Sequence, residues 1–205
     1  EYGGHGLLVF DMDDNYRLVK RIPTAGVDEK GVPINVKGIC ASLATNCVYI
    51  STIQTVQCID LVTEKIKWER KYEDGCDRMA ISPDGKTIYL PTFEKDFWSV
   101  VDAATGEVKQ KIVTKSGAHN TVFGLNGKEV YLAGLRSPYL TVVNAQMPTK
   151  TRQVGPFSAS IRPFTVNGKQ TLCFVNVNDL LGFEIGDLKT GKMLHRVEVS
   201  GFQKG

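Results

Sequence analysis

Asp60, Asp102, Asn144 and Asp187 recur at intervals of about 42 residues, each closing a short apolar run, with Asp11 one slightly longer interval earlier. The same elements surround each of them in the same order: an apolar run, an Asn/Asp-Gly-Lys turn, a second run containing Tyr, the run ending in Asp or Asn, and a charged closing strand. A period of 40 to 50 residues with four short strands per unit is the signature of a β-propeller blade, whereas solenoids of similar period use paired helices. The expected fold is therefore all-β, a propeller of four-stranded blades.

The turns show how strict the pattern is. Ile81-Ser82-Pro83-Asp84-Gly85-Lys86 aligns with Phe123-Gly124-Leu125-Asn126-Gly127-Lys128 and with Phe164-Thr165-Val166-Asn167-Gly168-Lys169. Asp-Gly and Asn-Gly supply the positive φ angles of a tight hairpin, so each marks the turn between strands one and two of a blade. The earliest unit, Ala41 to Cys47, keeps the length without the glycine. The strands that follow, Val48-Tyr49-Ile50, Ile88-Tyr89-Leu90, Val130-Tyr131-Leu132 and Leu172-Cys173-Phe174, are β-branched or aromatic and suit a half-buried pleated surface. Charged outer strands such as Glu107 to Ile112 discourage edge pairing.

The repeated Asp reads as a former of the turn after strand three, since Asn144 replaces it without loss of pattern. A ligand or metal ring is the alternative. Tyr49, Tyr89 and Tyr131 read as packing between blades. The five cysteines (Cys40, Cys47, Cys58, Cys76, Cys173) lie in or beside apolar runs and read as buried thiols, with a Cys40–Cys47 bridge as the alternative. Neither CxxC nor His-rich spacing offers a zinc site, and no cofactor fingerprint occurs.

The segment Ile81 to Leu90 followed by Val100-Val101-Asp102-Ala103-Ala104-Thr105-Gly106-Glu107-Val108 resembles the YVTN β-propeller repeat, a relative of WD-repeat propellers. The likeness runs from about Leu7 to Val199. The Tyr-Val-Thr-Asn tetrapeptide itself is absent, and the unit from Ala118 to Gly155 has Met147-Pro148-Thr149 where the Thr-Gly turn would stand. The resemblance implies a seven-bladed disc, functions dominated by binding, and a periplasmic or extracellular location.

Leu7 to Ile22 supplies two strands, and four blades follow at about 37–73, 76–115, 118–156 and 159–200, so that residues 1–205 read as one domain or fragment of about four and a half blades. An open ring leaves apolar faces bare. The expectation is an N-terminal portion of a longer propeller, closed by C-terminal blades or, alternatively, by another chain. The insert from Ala25 to Val36, with Gly26, Gly31 and Pro33, reads as a surface loop.

At the start of strand one the repeats stop agreeing: Lys37 in the first full blade, Asp77 and Arg78 in the second, His119 and Asn120 in the third, Arg162 in the fourth. Polar, non-identical positions converging on one channel mouth are where a repeat scaffold grows a binding site. Two arginines, a lysine and a histidine favour a small anionic ligand. Solvated residues paired among themselves, such as Asp77 with Arg78 or Arg162, are the plainer alternative. His5 and His195 have no partner in the repeat frame. The aromatics Phe93, Phe97, Trp98, Pro138 and Tyr139 read either as inter-blade packing or as a patch for a protein partner.

Charge adds little. With 25 Lys/Arg against 22 Asp/Glu the net charge is +3, and the basic residues are spread, which argues against a nucleic-acid footprint. No apolar stretch approaches the roughly 18 residues of a membrane span. The leading functional expectation is a non-catalytic scaffold binding a ligand or protein at the channel mouth or the blade hairpins. The rivals are a propeller enzyme, a lactonase or a dehydrogenase-like protein with its site completed elsewhere, and a structural protein of the cell surface.

Overall fold

The computed structural model describes residues 6–24 and 27–201, and every element in it is a strand. A two-stranded unit, β1 (Leu7–Asp11) and β2 (Arg17–Ile22), comes first. Four antiparallel sheets follow. The first contains β3 (Val36–Ser42), β4 (Cys47–Thr52), β5 (Thr55–Asp60) and β6 (Ile66–Lys71). The second contains β7 (Ala80–Ile81), β8 (Thr87–Pro91), β9 (Phe97–Asp102) and β10 (Val108–Val113). The third contains β11 (Ala118–Phe123), β12 (Glu129–Gly134), β13 (Leu140–Asn144) and β14 (Thr151–Val154). The fourth contains β15 (Ile161–Val166), β16 (Leu172–Val177), β17 (Gly182–Asp187) and β18 (Met193–Glu198). Each sheet is a meander in chain order, and the first strands neighbour one another in sequence, β3 with β7, β7 with β11 and β11 with β15. This is the radial arrangement of propeller blades, with first strands inward and charged fourth strands outward.

The repeated Asx residues are turn formers. In all five units one side-chain oxygen accepts the backbone N–H groups two and three residues on: Asp11 from Asp13 and Asp14, Asp60 from Val62 and Thr63, Asp102 from Ala104 and Thr105, Asn144 from Gln146 and Met147, Asp187 from Lys189 and Thr190. Donors aimed at a carboxylate favour its charged form. Asp60 and Asp187 are therefore held below the ordinary carboxylate value, chiefly by the N–H groups of Thr63 and Thr190, and Asp102 chiefly by Lys109.

The hairpins between strands one and two depart from the expected geometry. Gly85 and Gly127 have positive φ (71° and 70°), and each closes its turn by donating its N–H three residues back, to Ser82 O and Gly124 O. These are type I turns ending in a left-handed glycine, with one positive φ per turn. The glycine-free first turn places Asn46 there (φ 50°), and the fourth places Gln170 (φ 53°) in preference to Gly168. Asn167 stabilises that last turn by accepting from Thr171 N and Leu172 N.

The core lies between sheets. Tyr49, Tyr89 and Tyr131 are each at most 1% exposed and face the following blade, packed in clusters that contain Ile88 and Leu90, Val130 and Leu132, and Cys173 and Val175 respectively. Leu7 and Val9 of β1 cover Val48 and Ile50 in the same manner. Phe174 occupies the tyrosine position in the fourth sheet and lies 6.1 Å from Phe183, centroid to centroid. Both are only partly buried, because no following sheet covers them among the described residues. All five cysteines are free, and Cys40 pairs across the sheet with Tyr49, so the alternative Cys40–Cys47 bridge is excluded.

Candidate functional site

Three of the four first strands carry a β-bulge, and each bulge falls on a candidate residue. Register shifts between Val36 and Gly38, at Lys37; between Ala118 and Asn120, at His119; and between Ile161 and Phe164, at Arg162 and Pro163. A bulged residue is left out of the ladder and its side chain is re-aimed. The second blade reaches the same end differently. β7 has only two residues, because Asp77 and Arg78 leave the sheet, and Arg78 forms a parallel bridge to Asn120 of β11.

The Asp77–Arg78 segment is held from three sides. Asp77 N donates to Pro91 O at 3.0 Å, and Ser51 Oγ donates to Asp77 O at 2.8 Å. Gly38 of β3 faces it so closely that a Cβ would stand 3.0 Å from Arg78 Cα and 3.2 Å from Asp77 O. This close approach accounts for a glycine beside the bulged Lys37.

Asp77 is fully buried, and its Oδ2 lies 2.7 Å from His119 Nδ1. The other imidazole nitrogen, Nε2, meets Arg78 Nη1. Guanidinium can only donate, so Nε2 is the acceptor and Nδ1 carries the hydrogen given to the carboxylate. The result is a relay in which a buried anion orients a neutral imidazole, and the imidazole orients an exposed guanidinium. Asp77 Oδ1 has no hydrogen-bond partner. Burial, and secondarily the Asp77 charge, pushes the neighbouring Cys76 thiol up to about 12.

The remaining candidates stand apart. The Lys37 ammonium lies over the Phe93 ring at 4.7 Å from its centroid, and Arg162 Nε donates to Asn178 Oδ1 at 2.7 Å. The expected alternative pairings of Asp77 with Arg78 or Arg162 are not formed, since His119 takes the carboxylate. Phe97 and Trp98 are buried, with Trp98 Nε1 donating to Thr121 Oγ1 at 2.9 Å, whereas Phe93, Pro138 and Tyr139 keep partial exposure. His195 is exposed on β18, and His5 lies outside the described residues. Among the described residues no group of three or more His, Cys, Asp or Glu is placed to hold a metal ion, and no helix is long and apolar enough to cross a membrane.

Gly38 and Asn178 belong to the site and escaped the sequence reading, whereas Phe93 reads from the sequence only as inter-blade packing or a partner patch. Gly38 and Asn178 lie in segments whose repeat equivalents are unremarkable, so only the hairpin position of Phe93 offered a signal.

This geometry is that of a β-propeller. No protein-family model matches the chain, and no curated protein matches it. Solved propellers do. The chain is similar to Kuenenia stuttgartiensis hydrazine synthase (TM-score 0.68, 16% identity, 80% of this chain and 49% of that one). It is similar to dihydro-heme d1 dehydrogenase NirN in complex with DHE (0.76, 16%, 92% and 41%). It is also similar to the β-propeller domain of Myceliophthora thermophila Cps50 (Swd1) (0.69, 10%, 82% and 56%). The likeness is one of fold, and the chain spans about half the length of these structures.

Proposed function

We propose that the chain is a non-catalytic binding scaffold whose channel mouth captures a small anion, with Arg78 as principal donor and Lys37, His119, Asn120 and Arg162 around it. The observation that carries this reading is the Asp77–His119–Arg78 relay. A guanidinium whose orientation is set in advance loses less entropy on binding a carboxylate or phosphate, and its remaining N–H donors keep their fork geometry. Calorimetric titration with citrate and inorganic phosphate tests it. Arg78→Ala is expected to lower affinity at least tenfold and Arg78→Lys to recover only part, because an ammonium lacks the fork; unchanged affinity in Arg78→Ala would overturn the reading.

A catalytic reading has one observation in its favour. An imidazole fixed by a buried carboxylate is the arrangement that makes a general base; of the similar propellers, NirN is a dihydro-heme d1 dehydrogenase. A lactonase would draw on His119, Arg162 and Asp77. Against it, Nε2 is engaged by Arg78 and Arg162 by Asn178. Turnover of a lactone panel that collapses in both His119→Ala and Arg162→Ala would replace the binding reading. Self-association that survives both substitutions would favour a structural role at the cell surface.

The YVTN likeness extends the proposal to an exported protein, testable by cell fractionation. The bare Phe174 and Phe183 support closure of the ring by further blades or by another chain; the intact mass of the natural polypeptide decides which.

A further inference from the structure

A cavity of about 340 Å³ opens between the first and second sheets, among the turns that join strands one to two and three to four, at the opposite end of the blades from Asp77 and His119. It exists because the side chains lining it there are small. Cys47, Cys58 and Tyr49 line it from one blade, and Ala103, Ala104 and Gly85 from the next. At the interface between the third and fourth sheets Leu188 stands where Ala103 stands, and Arg152 Nη1 reaches Leu188 O at 2.5 Å, filling the space. Between the second and third sheets Phe123 packs edge-on against Tyr89 at 5.7 Å.

The cavity's chemistry is also distinct from that of its repeats. Lys67, Lys86 and Lys109 all line it, whereas the corresponding cavity beside Tyr89 has no basic residue among its lining. Lys109 is committed to Asp102 at 2.6 Å, but Lys67 Nζ is 3.9 Å from its nearest carboxylate oxygen, on Asp60. Lys67 Nζ also lies 3.7 Å from Cys47 Sγ, which places the ammonium over the sulfur-lined wall. Thr45 Oγ1, in the lining, is buried beside the Tyr49 hydroxyl. An apolar body lined by thiols and an aromatic ring, with three lysines and one carboxylate, Asp102, in its lining, is a built receptor for one class of molecule. A dry apolar cavity of roughly 150 Å³ accepts a single benzene-sized ring, so this one suits about two.

We infer that the cleft between the first and second blades binds a small aromatic carboxylate, its rings against Cys47, Cys58 and Tyr49 and its carboxylate at Lys67 and Lys86. The site is independent of the channel mouth.

The test uses the full chain with 2-naphthoate as probe and 2-naphthylmethylammonium as its charge-reversed counterpart, by calorimetry and amide chemical-shift mapping. Saturable naphthoate binding is expected, with shifts at Cys47, Cys58 and Ala103, and at least tenfold weaker binding of the cation. The exposed double change Lys67→Gln/Lys86→Gln, which leaves the packing untouched, is expected to weaken naphthoate at least tenfold. Ala103→Leu is expected to abolish binding with the fold monitored by circular dichroism, and His119→Ala to leave it unchanged. Absence of saturable binding at millimolar probe overturns the inference. So does affinity unaffected by the lysine changes, or affinity that follows His119→Ala.

Discussion

His119 Nδ1 lies 2.7 Å from Asp77 Oδ2, and this contact ties the bulge of the third blade to the loop that shortens the second. The carboxylate is fully buried and its other oxygen has no hydrogen-bond partner among the described residues, so the imidazole hydrogen is its one side-chain partner there. Asp77→Asn keeps the shape and removes the charge-assisted bond. A hydrogen bond to a charged group contributes about 2 kcal/mol. For a chain of this size the melting temperature is expected to fall by roughly 4–8 °C in a thermal scan, with anion affinity at Arg78 falling alongside.

Gly38→Ala separates site geometry from bulk stability. The added methyl would meet Arg78 Cα at 3.0 Å and Asp77 O at 3.2 Å, both backbone atoms of the relay segment. The segment must move outward, and Arg78 with it. Anion affinity is expected to drop at least fivefold while the melting temperature changes little, read by paired calorimetry and thermal denaturation; intact affinity would show that the relay tolerates displacement.

Asp102 distinguishes a turn former from a ligand ring. Asp102→Asn keeps the acceptor for Ala104 N and Thr105 N and loses only the exposed ion pair to Lys109, so it is expected to cost less than Asp102→Ala. Asp102→Ala loses both bonds and is expected to cost about 1 kcal/mol in denaturant unfolding. Because its folded carboxyl is held below the ordinary 3.8, the stabilisation it gives is present above that value and disappears as pH falls below it.

Alkaline conditions act on the buried acids. Burial pushes the thiols of Cys40, Cys58 and Cys76 up to about 12 from 9.0, Cys173 to about 11, and the Tyr89 hydroxyl to about 12 from 10.0. In the unfolded chain these groups ionise at their ordinary values, so stability is whole below about pH 9 and is lost progressively as pH rises toward 12. Urea midpoints should hold up to about pH 9 and fall steadily from there to about pH 11. At neutral pH the buried Cys58, Cys76 and Cys173 thiols should resist iodoacetamide until the protein unfolds.

The architecture was legible because each of its determinants is local. An Asx residue that captures the N–H groups two and three positions on, a single aromatic at a fixed place in strand two, and a charged outer strand write themselves into consecutive residues, and repetition at about 42 residues makes them visible. The candidate positions were legible for the opposite reason, as the places where the repeats disagree. Which of them touch was not legible. Lys37, Asp77, Arg78, His119 and Arg162 occupy equivalent places in the four blades, and a bulge in three of the first strands, with an early end to the second blade's β7, decides where each side chain goes. The contact of Asp77 with His119 spans 42 residues and depends on how two sheets sit about the axis, as does the cleft beside Ala103, which exists only because the facing blade offers nothing larger. Local hydrogen-bonding chemistry determined the blades from the sequence by itself; the packing of one blade on the next, a long-range property of volume and angle, determined the sites.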